Sequence, residues 1–150
     1  MSIFEQINED IKKAMLAKEQ LALTALRSVK AAFILAITDG INKELDDTKA
    51  IGIIQKLVKQ RRESAEIYES QNRLDLAETE KQEAEIIAKY LPKALDKEEL
   101  EELVKSIIAQ TGANSMKDMG KVMSFATTKA AGRADGRTLS ELVKTLLIQQ

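Results

Sequence analysis

Two arginines and two glycines fall within seven consecutive positions, Gly132-Arg133-Ala134-Asp135-Gly136-Arg137-Thr138, and three lysines lead up to them. Lys117, Lys121, Lys129, Arg133 and Arg137 thus share one short stretch whose only acids are Asp118 and Asp135. Arginine presents a planar fork of donors that fits a phosphate, and glycine lets a ligand approach the backbone. A helix N-terminus beside them adds further donors and the positive end of a dipole. The chemistry these five residues could do is anion recognition, with nucleic-acid phosphate as the natural target. The plainer alternative is that Gly132 and Gly136 supply the positive φ of a tight interhelical turn, with Arg133 and Asp135 solvated or locally paired. A nucleoside-triphosphate loop does not fit. Its pattern needs four residues between the glycines, then lysine, after a strand; here there are three, then Arg137, and no strand precedes.

Other chemistry is excluded by what is missing. The chain has no His and no Cys, so the common nitrogen and sulfur metal ligands, thiolate nucleophiles and imidazole bases are all absent. Serines, lysines and carboxylates occur at no spacing that pairs a nucleophile with its base, and no catalytic residue, metal site or cofactor is expected. Glu78, Glu80, Glu83 and Glu85 could offer oxygen ligands to a hard cation, but a solvated helix face is the simpler reading. Lys56, Lys59, Arg61 and Arg62 form a second basic run, diluted by Glu63 and Glu66, which reads as a solvated face with i, i+4 pairs such as Arg62 with Glu66. Single-strand recognition there would need stacking aromatics, and Tyr68 is the sole nearby candidate.

The elements that must position these residues are helices. One proline and six glycines are too few for the turns of an all-β fold, while Ala, Leu, Glu and Lys favour helix. Ser2 with Glu5 forms a capping-box pattern before Ile3, Ile7 and Ile11. A second amphipathic run contains Leu23, Leu26, Lys30, Phe33 and Ile37, stopped at Asp39 and Gly40. Asp46 or Asp47 caps a third, with Ile54, Val58 and Ala65 on its apolar face; Asn72 interrupts it, and a fourth runs from Asp75 to about Lys89. Tyr90-Leu91-Pro92 ends that helix, because the residue before proline disfavours helical backbone. The division expected is a multi-helix N-terminal domain over 1–92 and a small three-helix domain over 93–150. In the latter, Asp96 opens a helix that Gly112 closes, and Ser115 with Asp118 opens a second lined by Met116, Met119, Met123 and Phe125. Thr138 with Glu141 reads as a capping box on the third. The methionines read as core rather than as an adaptable docking surface, and Gly120 as a site of close helix approach.

The net charge of −1 argues against a strongly basic nucleic-acid binder, and the halves differ little: −2 over 1–92 and +1 over 93–150. Residues 1–15 carry Glu5, Glu9 and Asp10 and no apolar run of a signal peptide. The longest apolar stretch, residues 31–37, is far short of the ~20 residues a membrane span needs. A soluble, cytoplasmic protein without membrane contact is expected.

Taken in order, these segments resemble the YqeY family, also called GatB/YqeY-like after the tail of the tRNA-dependent amidotransferase B subunit. The markers are Leu26-Arg27-Ser28-Val29-Lys30, Lys59-Gln60-Arg61-Arg62-Glu63-Ser64, Arg73-Leu74-Asp75-Leu76-Ala77 with Glu80, and Tyr90-Leu91-Pro92. Asp118-Met119-Gly120-Lys121-Val122-Met123, Gly132-Arg133-Ala134-Asp135-Gly136, Leu142-Val143-Lys144 and Leu146-Leu147 follow. The resemblance implies an all-α protein whose C-terminal part is similar to a tail that contacts the body of tRNA, while amide chemistry sits in domains this chain lacks. One departure is that the segment before the glycine loop holds a single lysine, Lys129, where many relatives are lysine-rich. The function implied is a non-catalytic accessory protein binding tRNA through backbone phosphates. Its rival is a helical module docking on an amidotransferase or aminoacyl-tRNA synthetase. A carbon–nitrogen ligase description, with glutamine as amido donor, would be inherited from the subunit's name without an active site.

Overall fold

A computed structural model describes residues 1–39 and 44–149, and the chain is all-α. The helices are α1 (Ile3–Leu16), α2 (Gln20–Asp39), α3 (Asp47–Ser70), α4 (Leu74–Ala88), α5 (Lys97–Thr111), α6 (Met119–Ala130) and α7 (Gly136–Ile148), with a 3-10 turn at Met116–Asp118. They divide into two compact units, Met1–Leu91 and the chain from Pro92 onward. The left-handed stop expected at Gly40 lies outside the described residues.

In the first unit the local signals act as their chemistry dictates. Ser2 caps α1 in a complete capping box with Glu5, and Asp46, rather than Asp47, caps α3 through the Lys49 amide. Asp47 instead accepts the Ile3 amide at 3.0 Å and so joins the start of α3 to α1. Asn72 adopts a positive φ of 58°, which asparagine tolerates better than most residues, and the chain reverses there into α4. The core gathers Ile7, Ile11, Val29, Phe33, Ile54, Val58 and Ile87 from all four helices, with the Phe4 and Phe33 rings 5.8 Å apart. α2 is, by length and composition, one helix apolar enough to cross a membrane. That is a longer apolar reach than residues 31–37 indicate, because Arg27 and Lys30 interrupt the sequence without making the helix polar. Its Leu23, Leu26, Val29 and Phe33 are committed to this core.

One polar network pins the first unit. Arg61 on α3 donates from Nε to Glu83 of α4 at 3.1 Å and from Nη2 to the Ser28 hydroxyl of α2 at 2.7 Å. Its side chain is 15 % exposed and that of Glu83 14 %, so neither belongs to the solvated faces expected for them. The basic run is broken for a physical reason: Arg61 lies between the apolar positions of α3 and can reach a partner only inward. The ion pair seen on the outer face of α3 is Lys59 with Glu63. Tyr90, just past α4, donates its hydroxyl to Asp10 of α1. Burial first, then that bond and the carboxylate's charge, push the Tyr90 phenol well above its ordinary value.

The second unit packs α5, α6 and α7 around Val104, Ile107, Val122, Ala126, Leu139, Val143 and Leu147. Asp96 caps α5 through the Glu99 amide, and Gly112 closes it at φ 70°. Three expectations are corrected here. Met116 and Phe125 are 41 % and 49 % exposed, and Met119 and Met123 only flank the core. The three-and-four spacing runs instead through Val122, Ala126 and Ala130, which turns Phe125 outward. Gly120 has open space where a Cβ would stand, so no neighbouring helix requires it. α7 is capped by Asp135, not by Thr138 and Glu141, since Asp135 Oδ1 accepts the Thr138 amide at 2.8 Å.

Candidate nucleic-acid interface

The five predicted residues divide into two groups once their partners are known. Arg133 is tied into its own unit. Its Nε donates to the Lys93 carbonyl at 3.1 Å, its Nη2 stands 3.8 Å from Glu99, and its backbone carbonyl accepts the Leu95 amide at 2.8 Å. It therefore anchors the segment before α5 to the glycine loop. Arg137 lies along the surface of α7 with Nε 3.5 Å from Glu141. That pair is largely exposed, so it costs little to open toward a ligand.

The glycine loop is a turn with a sequence of its own. Ala131 and Gly132 take positive φ of 48° and 84°, and Gly136 does not share that role, being the first residue of α7. Asp135 Oδ2 also accepts the Thr138 hydroxyl at 2.9 Å. A carboxylate thus occupies the N-terminus of α7, where an incoming phosphate would have to displace it. The cradle anticipated between the two arginines is not an open anion site.

Lys117, Lys121 and Lys129 are different. All three are exposed, and among the described residues none of their ammonium groups has an ion pair. Lys121 and Lys129 lie eight residues apart on α6, hence ~12 Å along the axis and ~80° around it, on one flank. α6 contains no Asp or Glu at all. The nearest acid in sequence, Asp118, is turned to the Asn114 amide at 3.1 Å. Phe125 stands midway between the two lysines on that flank, with Ser124 and Thr128 exposed beside it. Sequence reasoning placed this aromatic on the lining of the helix, whereas it is half exposed. Its signal was present, because Lys121, Phe125 and Lys129 are spaced by four.

Among the described residues of the first unit, the polar side chains nearest the core are bonded to one another. The Ser28 hydroxyl donates to the Ala25 carbonyl at 2.6 Å and accepts from Arg61, so its proton and one lone pair are committed. Among the described residues no three carboxylates converge as a metal site would require. Arg73 and Asp75 form an exposed pair in which the arginine's hydrogen bond holds the Asp75 carboxyl below its ordinary value.

Comparison with known proteins places these motifs in context. Residues 4–147 match the family described as Yqey-like protein. The chain is 38 % identical over 117 residues to the "Altered inheritance of mitochondria protein 41, mitochondrial" of Clavispora lusitaniae, covering 75 % of this chain and 66 % of that one. It is 28 % identical to the protein of the same name from Lachancea thermotolerans, over 96 % of this chain and 78 % of the relative. The corresponding protein of Vanderwaltozyma polyspora is 32 % identical, over 75 % and 64 %. The chain thus spans about two thirds of the first and third of these relatives. None of the names states a catalytic activity. They overturn the cytoplasmic expectation: the relatives are named as mitochondrial proteins, and the composition of residues 1–15 does not decide a compartment, since targeting segments are separable from the fold they deliver. With a match running through both units, the chain belongs to the YqeY-like family.

Proposed function

We propose that this protein is a non-catalytic accessory factor that binds tRNA through backbone phosphates, using the second unit. The observation that carries the reading is the outer flank of α6, where Lys121 and Lys129 stand exposed, unpaired and without an acid on the helix. Lys117 extends it, and Arg137 joins by releasing Glu141. Arg133 contributes mainly by holding the loop in place. Lysine–phosphate contacts of this kind position a protein on RNA without reading sequence, so affinity is modest and spread over many tRNAs.

The test is fluorescence anisotropy of labelled tRNA with the full chain and with a Lys121→Glu/Lys129→Glu variant. Both side chains are exposed, so the variant should fold, which its helical circular dichroism and unfolding midpoint check. The reading expects affinity to fall at least about tenfold at low salt, as two repelled phosphates require. Unchanged affinity would remove α6 as the interface. Failure of the unmodified chain to bind, together with salt-resistant capture of an amidotransferase or synthetase subunit, would favour the docking module instead.

A further inference from the structure

We infer that Phe125 is a base-stacking platform, so that the ligand of the α6 flank is RNA with unpaired nucleotides rather than uninterrupted duplex; this rests on the RNA-binding reading above and narrows it. Phe125 is 49 % exposed, while Val122, Ala126 and Ala130 take the core side of α6. The helix places it outward, one turn from Lys121 on one side and one turn from Lys129 on the other. An exposed aromatic between two cations on an acid-free face is complementary to a polyanion that also offers flat apolar surfaces. Nucleic acid meets that description when a base is free of its stack. The lysines take phosphates on either side, and the ring takes the base face between them. A paired duplex hides its base faces, so it can use the lysines but not the ring. Ser124 and Thr128 lie exposed beside Phe125; the Thr128 hydroxyl donates to the Ser124 carbonyl at 3.0 Å and keeps its lone pairs to accept from a sugar hydroxyl, while the Ser124 hydroxyl is available to sugar or base edge without demanding one sequence.

The chain contains no tryptophan, which makes the test direct. Phe125→Trp installs a single indole whose emission is quenched by a stacked base. The probes are a single-stranded oligouridine and a blunt RNA duplex carrying the same number of phosphates. The result expected is quenching by the single strand and not by the duplex, with Phe125→Ala losing about tenfold in affinity for the single strand and almost nothing for the duplex. Unquenched emission with saturating single strand, and Phe125→Ala equal to the unmodified chain, would overturn stacking while leaving phosphate binding intact. Absence of binding to either probe at low salt would overturn the RNA reading itself. A blue shift with phosphatidylserine vesicles but no response to RNA would assign this flank to a membrane surface and overturn the inference.

Discussion

At the scale of single residues, Arg61 and Tyr90 hold the first unit together. Removing Arg61 leaves Glu83 mostly buried without its cation and Ser28 without a donor. Arg61→Met should destabilise the protein by roughly 3 kcal/mol, because an uncompensated buried carboxylate is the expensive product of breaking such a pair. The Arg61→Met/Glu83→Leu double variant should recover most of that loss in a denaturant titration. Equal cost for the single and double variants would show that the pair matters only through volume. Tyr90 makes a pH prediction. An unfolded tyrosine loses its proton near pH 10, whereas the folded one, held by burial and Asp10, keeps it to higher pH. Folding therefore favours the protonated phenol: its contribution is intact below pH ~10 and declines as pH rises beyond that. Stability above pH 10 should fall more steeply for the unmodified chain than for Tyr90→Phe. Parallel pH profiles would contradict the assignment.

At the scale of elements, caps and turns decide how the basic residues are presented. Asp135 carries the N-terminus of α7, so Asp135→Ala should cost about 1 kcal/mol, while Thr138→Ala should cost less. Ala131 sits in the left-handed region at the end of α6, a conformation that penalises any Cβ. Ala131→Gly should stabilise the protein by about 1 kcal/mol in thermal or denaturant unfolding, and no gain would mean that the turn is held by packing instead. The helices were legible in the sequence because their signals are local: Ser2 with Glu5, Asp46, Asp96 and Gly112 each act on residues within one turn. The apolar faces of α1, α5 and α7 were equally plain. What escaped was long-range. Arg61 looks like one member of a basic run until Glu83 and Ser28 are brought to it from other helices. Asp135 and Thr138 are both good caps, and only the backbone path chooses between them. The bulky Met116 in the turn before α6 and Phe125 on it suggest a core that small residues, Ala126 and Ala130, in fact provide beside Val122. The candidate site was legible as a set of charges, but not as the division between tied arginines and free-standing lysines, which depends on where Lys93, Glu99 and Glu141 lie.

At the scale of the whole molecule, a net charge of −1 coexists with a locally basic surface because the acids are segregated. In the second unit, five of eight acidic residues fall between Asp96 and Glu102, at the start of α5, while α6 has none. Acids at a helix N-terminus oppose the positive end of its dipole, so this arrangement stabilises α5 and leaves α6 uncompensated. The overall charge thus hides an uneven local distribution. The direct measurement is the affinity of the full chain for bulk tRNA across a series of salt concentrations. Lys117, Lys121 and Lys129 together predict a slope of log K against log salt of roughly −2 to −3, from ~0.7 to 0.9 released counterions per contact. Reversing Lys121 and Lys129 should flatten that slope to about −1 or shallower. Binding that does not change with salt, or no binding in low salt, would contradict the account and leave the α6 lysines as ordinary surface.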